Sequence, residues 1–187
     1  MDFGKIEVEI EGTKPLLMNN PLKHIVSGNT KVKSTMRATD VKKEAEDSVY
    51  RDEKGFLYVP SEAILGTMLN GAKFRKVVAS GIKYAAKTVL MGNVTIEPEK
   101  PSLGVKDYEV DIRSVVIPKT DSRILRARPR LDKWKVKFTI VYSKYFPQND
   151  MIDIIQQSLE SAGMSSGLLD FRPRFGTFKI TKFKPLD

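Results

Sequence analysis

The run from Lys133 to Tyr142 constrains this chain most: Trp134, Val136, Phe138, Ile140 and Tyr142 alternate with Lys133, Lys135, Lys137 and Thr139. A sustained period of two marks a strand with one packed face and one wet face. Residues 4–12 repeat it, with Ile6, Val8 and Ile10 on one side and Lys5, Glu7, Glu9 and Glu11 on the other. Such strands need a second layer over their apolar side.

Two stretches supply helices for that layer. After Tyr58-Val59-Pro60, Ser61 is a natural N-cap, and Ile64, Leu65, Met68, Leu69 and Ala72 recur at helical spacing up to Asn70-Gly71. Later, Asp150 reads as the cap of a helix whose stripe is Met151, Ile154, Ile155, Leu159 and Ala162, with Gly163 as its stop. Val49–Arg51 and Phe56–Val59 flank Asp52-Glu53-Lys54-Gly55, a hairpin signature with glycine at the left-handed position. Val77 to Ala86 reads as a short helix broken at Gly81, and Thr88 to Ile96 as a strand. Residues 110–117 and 123–128 read as strands around a turn at Pro118 and Asp121, and Phe175 to Phe183 as a final strand. Between Asn19 and Glu53 no period is sustained. Taking 4–12, 110–128, 133–142 and 175–183 as the four strands gives an α+β fold. It is a ferredoxin-like, RRM-like antiparallel sheet covered by two helices, with a large insertion after the first strand. In the RNA recognition motif the open sheet face of this architecture binds single strands.

Charge supplies the functional clue. Thirty-two Lys and Arg stand against 23 Asp and Glu, a net +9, and the excess is clustered. From Arg113 to Lys137 there are nine basic residues and two acidic ones, whereas residues 92–112 are net acidic. Clustered positive charge suits a polyanion. Without cysteine, and with His24 as the single histidine, thiolate chemistry and Cys- or His-based metal clusters are excluded. No cofactor is expected. Residues 1–20 carry charges throughout and no apolar run spans a bilayer, so the reading is a cytoplasmic protein that does not enter membranes.

Arg123, Arg126, Arg128 and Arg130 are the densest arginine group, followed by Trp134. Guanidinium groups pair with phosphate and stack on bases. The structural alternative is the wet face of a strand. Arg172 and Arg174 flank Pro173 in a second basic loop, and Lys73, Arg75, Lys76 and Lys83 are candidates for extending a groove. Tyr50 and Phe171 are candidates for stacking or for the core. Lys133, Lys135 and Lys137 read as a solvated face.

Two stretches carry a family resemblance. Arg51-Asp52, a short turn, then Tyr58-Val59-Pro60 and a helix with Ile64 and Gly66 resemble a signature of the RAMP superfamily of CRISPR effector proteins. That signature commonly runs Arg-Asp, then Tyr-Ile-Pro-Gly-Ser-Ser-Leu-Lys-Gly. Here Ser61 stands for the glycine, Glu62 and Ala63 for the serine pair, and Leu65 for the lysine. The run from Gly167 to Gly176 resembles the family's glycine-rich loop before the last strand, with Leu169 in place of the inner glycine. The resemblance is to single-domain backbone subunits that line up along guide RNA and to their viral and prophage relatives.

It implies that residues 17–57 form a thumb; the length makes one domain over 1–187 the default, with a second excursion at about 74–109. The resemblance also implies a non-catalytic binder of single-stranded nucleic acid, RNA before DNA, working as a head-to-tail filament of copies. Two alternatives stay open. One is a RAMP-type endoribonuclease using Asp40, Asp47 or Asp52 near the thumb, or His24 as general base. The other is a viral structural or interaction protein that mimics a CRISPR subunit.

Overall fold

The structure, a computed structural model, describes residues 2–22, 38–79, 82–116, 123–145 and 148–186. In chain order the strands and helices are β1 (Phe3–Gly12), β2 (Leu16–Leu17), α1 (Ala38–Asp47), α2 (Ser61–Gly71), β3 (Lys76–Ala79), β4 (Ile82–Ala85), α3 (Ala86–Asn93), β5 (Val94–Glu97), β6 (Glu109–Val116), β7 (Arg123–Leu131), β8 (Lys135–Ser143), α4 (Gln148–Ser165) and β9 (Phe178–Leu186).

The two alternating runs of the sequence become neighbours. β1 pairs antiparallel with β8 in the register Ile6↔Ile140, Val8↔Phe138 and Ile10↔Val136, so the apolar faces coincide. A slip of one residue would turn every one of those side chains to water, which fixes the register. The full sheet runs β5-β8-β1-β9, each neighbouring pair antiparallel. β1 and β5 are therefore parallel to one another across β8, and β8 and β9 across β1. Each parallel pair needs a crossover. The first contains α2 and α3, the second α4. This is the ferredoxin-like arrangement, an open α+β sheet with helices on one face. Ile64 and Met68 of α2 and Met151, Ile154, Ile155 and Leu159 of α4 join the sheet's inner residues in one buried cluster. Gly71 lets the two helices close up: a Cβ there would lie 2.1 Å from the Ser158 carbonyl oxygen.

Several expectations are corrected. The second strand of the fold is β5, not 110–128. Its four residues, with only Val94 and Ile96 buried, are too short for a visible period. The 110–128 stretch is instead split between β6 and β7, which pair antiparallel and with β2 make a second sheet in the order β2-β7-β6; the turn expected at Pro118 and Asp121 lies outside the described residues. Where a helix was expected over Val77–Ala86, the described residues form the antiparallel strands β3 and β4, and α3 starts at Ala86. Gly163 does not stop α4. It lies inside the helix, where a Cβ would meet the Phe178 carbonyl oxygen at 2.4 Å, and the helix continues to Ser165. Ser61 is not the N-cap of α2; Pro60 holds that position, with no side-chain capping bond, and Ser61 is the first helical residue. The side chain of Asp150 lies outside the described residues.

Of the insertion expected over 17–57, the structure describes 17–22 and 38–57. α1 was not visible as an apolar period because Val41 and Ala45 are the only apolar side chains between Ala38 and Asp47. It packs along β7 and touches β6. The Asp52–Gly55 turn forms as expected, with Gly55 at φ +84° and the Asp52 N–H bonded to the Phe56 oxygen. No helix among the described residues is long and apolar enough to cross a membrane.

Candidate nucleic-acid interface

The Arg51-Asp52 pair is a local clamp. Nη1 of Arg51 donates to the carbonyl oxygens of Gly55 and Lys106, both at 2.9 Å, while Oδ1 of Asp52 accepts from the amides of Lys54 and Phe56. The chain then passes Tyr58, whose amide bonds to the Tyr50 oxygen, and turns at Pro60 into α2.

The outward side of α2 forms one wall of a groove of about 590 Å³. Glu62, Ala63, Gly66, Leu69 and Asn70 line that wall; Leu169, Asp170 and Arg172 face them; Asn19, Pro21, Tyr50 and Lys87 complete the lining. No atom lies within 4 Å of where a Cβ on Gly66 would sit, so the helix backbone is open to the groove there. Burial and the neighbouring Tyr58 and Asp170 raise the pKa of the Tyr50 hydroxyl, which donates to the Asn19 carbonyl at 3.1 Å.

The second wall is the glycine-rich loop. Gly167 (φ +70°) and Gly176 (φ +71°) close it, with the Leu168 amide bonded to the Gly176 oxygen at 2.8 Å. A Cβ on Gly176 would lie 2.1 Å from the Leu168 oxygen, so no side chain fits. Between them Leu169 (φ 60°) and Phe171 (φ 52°) also take left-handed backbone. Leu169 thus adopts a conformation that favours glycine, at a cost on the order of 1–2 kcal/mol. The loop is anchored by the Asp170 amide on the Leu17 oxygen and the Gly176 amide on the Pro15 oxygen. Arg172 and Arg174 lie exposed at its tip.

The four arginines of β7 do not form one surface. Arg128 is buried at 8% exposure, its Nε on Asp170 Oδ2 at 2.9 Å and its Nη1 on Glu44 Oε1 at 3.1 Å. Arg126 also bonds to Glu44, and Arg130 bonds to Asp111 and Asp132. Arg123 is exposed at the first position of β7, about 20 Å along the strand from Arg130. The reading of Arg126 and Arg128 as a wet strand face is corrected: α1 packs along β7 where the short β2 does not pair it, and Glu44 also accepts from the Ala127 amide. Arg113, opposite Arg126 on β6, stacks on Phe175 with its guanidinium carbon 4.2 Å from the ring centre.

Lys73 and Lys76 are exposed just beyond α2, and Lys73 sits over Phe74. Arg75 bonds to Gln157. Its carbonyl accepts from the Ala86 amide at 2.9 Å, which brings this basic segment to the start of α3, next to Lys87. Lys87 was not singled out from the sequence, and only the basic excess of its neighbourhood signals it.

The open sheet face does not resemble a base-stacking platform. Glu7, Glu9 and Glu11 run down its centre, paired with Lys182 at 2.8 Å, Lys137 at 3.1 Å and Lys179 at 3.2 Å. Asp40 and Asp47 sit two turns apart on α1, about 10 Å along the axis, and do not converge. Asp47 Oδ2 is buried without a hydrogen-bond partner. The carboxylate of Asp52 is taken up by its turn. His24 lies outside the described residues. Among the described residues no group of three His, Cys, Asp or Glu is placed to hold a metal ion.

No protein-family model matches the sequence, and no curated protein matches it. Solved structures do. A chain in the cryo-EM structure of the Type III-B Cmr-beta bound to cognate target RNA is similar at a TM-score of 0.64 and 16% identity. The match covers 99% of this chain and 61% of that chain, so this chain spans about three-fifths of the relative's length. At that identity the likeness is one of fold alone.

Proposed function

We propose that this protein binds single-stranded nucleic acid, RNA in preference to DNA, without cleaving it. The observation that carries the reading is the groove between α2 and the glycine-rich loop. It combines an open helix backbone at Gly66, cations at Lys87 and Arg172, and a loop held in left-handed conformations with Arg174 beside it. Strained backbone of this kind gathers at ligand clamps. Exposed guanidiniums suit phosphate, and the open groove suits a strand that is not paired. Lys73 and Lys76 extend the basic surface at the end near Lys87, whereas the buried Arg128 does not reach a ligand. On this reading residues 1–187 are one domain, 17–57 form its thumb, and 74–109 a second excursion. Copies align head to tail along the strand, like the backbone subunits the sequence resembles.

The test is affinity for an unstructured oligoribonucleotide and its DNA counterpart across a salt series. Wild type is expected to bind RNA more tightly and to lose affinity steeply with salt. Arg172→Ala/Arg174→Ala should weaken binding and lower the log–log salt slope by about 0.7 for each phosphate no longer neutralised. A flat salt response, or an unchanged double variant, counts against the reading. The RNA should emerge intact with and without Mg²⁺; cleavage abolished by Asp47→Asn would establish the endoribonuclease instead.

A further inference from the structure

We propose that Arg128 and Asp170 form a positioning pair, which holds the 167–176 loop in its ligand-binding shape. The inference rests on the function proposed above and concerns how that site is built.

Asp170 lies between Leu169 and Phe171, the two non-glycine residues with left-handed backbone. Such conformations persist only where the surroundings over-determine them. Asp170 supplies three anchors. Its amide donates to the Leu17 oxygen at 3.1 Å, Oδ1 accepts from the Phe171 amide at 3.0 Å, and Oδ2 accepts from Arg128 Nε at 2.9 Å. Two residues on, Arg172 enters the groove lining. The direction of Arg172 therefore depends on how Asp170 is held.

Arg128 is itself fixed from three sides. Nη1 donates to Glu44 Oε1 on α1 at 3.1 Å, to Ser48 Oγ at 3.4 Å and to its neighbour's carbonyl, Ala127 O, at 3.0 Å. A side chain 9% exposed, with donors committed to two carboxylates, has no free fork for phosphate and no open face for a base. It instead joins β7, α1 and the loop at one point. A loop released from it would populate its binding shape only part of the time, and apparent affinity falls by that fraction.

The experiment uses the full chain with a labelled oligouridylate. Asp170→Ala separates positioning from charge by sign. Removing a carboxylate from a polyanion site should tighten binding on electrostatic grounds alone. Loss of positioning should weaken it, on the order of tenfold. The salt slope should stay at the wild-type value, since every phosphate keeps its cation, whereas Arg172→Ala should lower it. Asp170→Asn keeps one accepting oxygen and should recover part of the affinity. Hydrogen exchange without RNA gives an independent readout. In Asp170→Ala the amides of Phe175 and Gly176 should exchange about tenfold faster, with the β1–β8 amides unchanged. Wild type that binds no RNA overturns the proposed function and the pair's role in it. Wild type that binds, with an Asp170→Ala variant of equal or higher affinity or unaltered loop exchange, overturns this inference alone.

Discussion

On the four-stranded sheet, Lys137 reaches Glu9 with its side chain 74% exposed, and Lys179 reaches Glu11 at 61%. On the β2-β7-β6 sheet, the Arg128 side chain is 9% exposed and its partner Glu44 10%. Both strands alternate, and both carry cations at every second position. The first set is a decoration that water could replace, since exposed pairs contribute little. The second set joins a helix, a strand and a loop, and neither partner can be removed without stranding the other. One sheet takes its stability from packing and keeps its charges outside. The other folds its charges inward and ties them to α1 and to Asp170 of the glycine-rich loop.

Breaking the inward set should have the largest effect. Glu44→Ala leaves Arg128 and Arg126 without their shared carboxylate and should lower stability by about 3–5 kcal/mol in urea unfolding. A loss under about 1 kcal/mol would put this pair in the surface class and erase the contrast. Next comes the packing of the first sheet's helices. Gly71→Ala drives a methyl into the Ser158 carbonyl and should cost about 1–3 kcal/mol. Smaller still is Lys137→Ala, at about 0.2–1 kcal/mol.

The pH response of the outer ladder should be the slightest. The hydrogen bond from Lys182 lowers the pKa of Glu7, that from Lys137 lowers Glu9, and that from Lys179 lowers Glu11, all from an ordinary 4.5. A depressed folded pKa contributes stability above the unfolded value and loses it as pH falls through the folded one. Unfolding midpoints should therefore drop only below about pH 4.5, by less in Glu9→Gln and by less at high salt. A ladder contribution that persists at high salt would contradict its exposed character.

The same contrast explains what could be read from the sequence. In β1 and β8 alternation corresponds to burial, so the strands, their faces and the ferredoxin-like class were legible. In β7 the period is equally clear, yet α1 packs along the strand where Arg126 and Arg128 meet Glu44. α1 itself buries Glu44 and Ala45, and Ser48 just beyond it, a set that no apolar period reveals. The loop from Gly167 to Gly176 was legible as a likeness because its outer glycines meet a steric demand. At Leu169 no glycine marks the left-handed backbone that the structure shows there. Asp170 and Lys87 became visible only once the loop, α2 and α3 were brought to one groove.

The central place of β1 has a consequence for synthesis. Its outer neighbour is β9, and the bond between Thr181 and Glu9 joins residues 172 apart. At translation rates of roughly 5–20 residues per second, β1 waits on the order of ten to thirty seconds for that partner. Throughout that interval the nascent chain carries a strand edge able to recruit a neighbour's. Glu7, Glu9 and Glu11, still without the lysines of β9, then repel a second copy of the same acidic strand. The carboxylates that contribute least to the finished fold would guard it while it is being made.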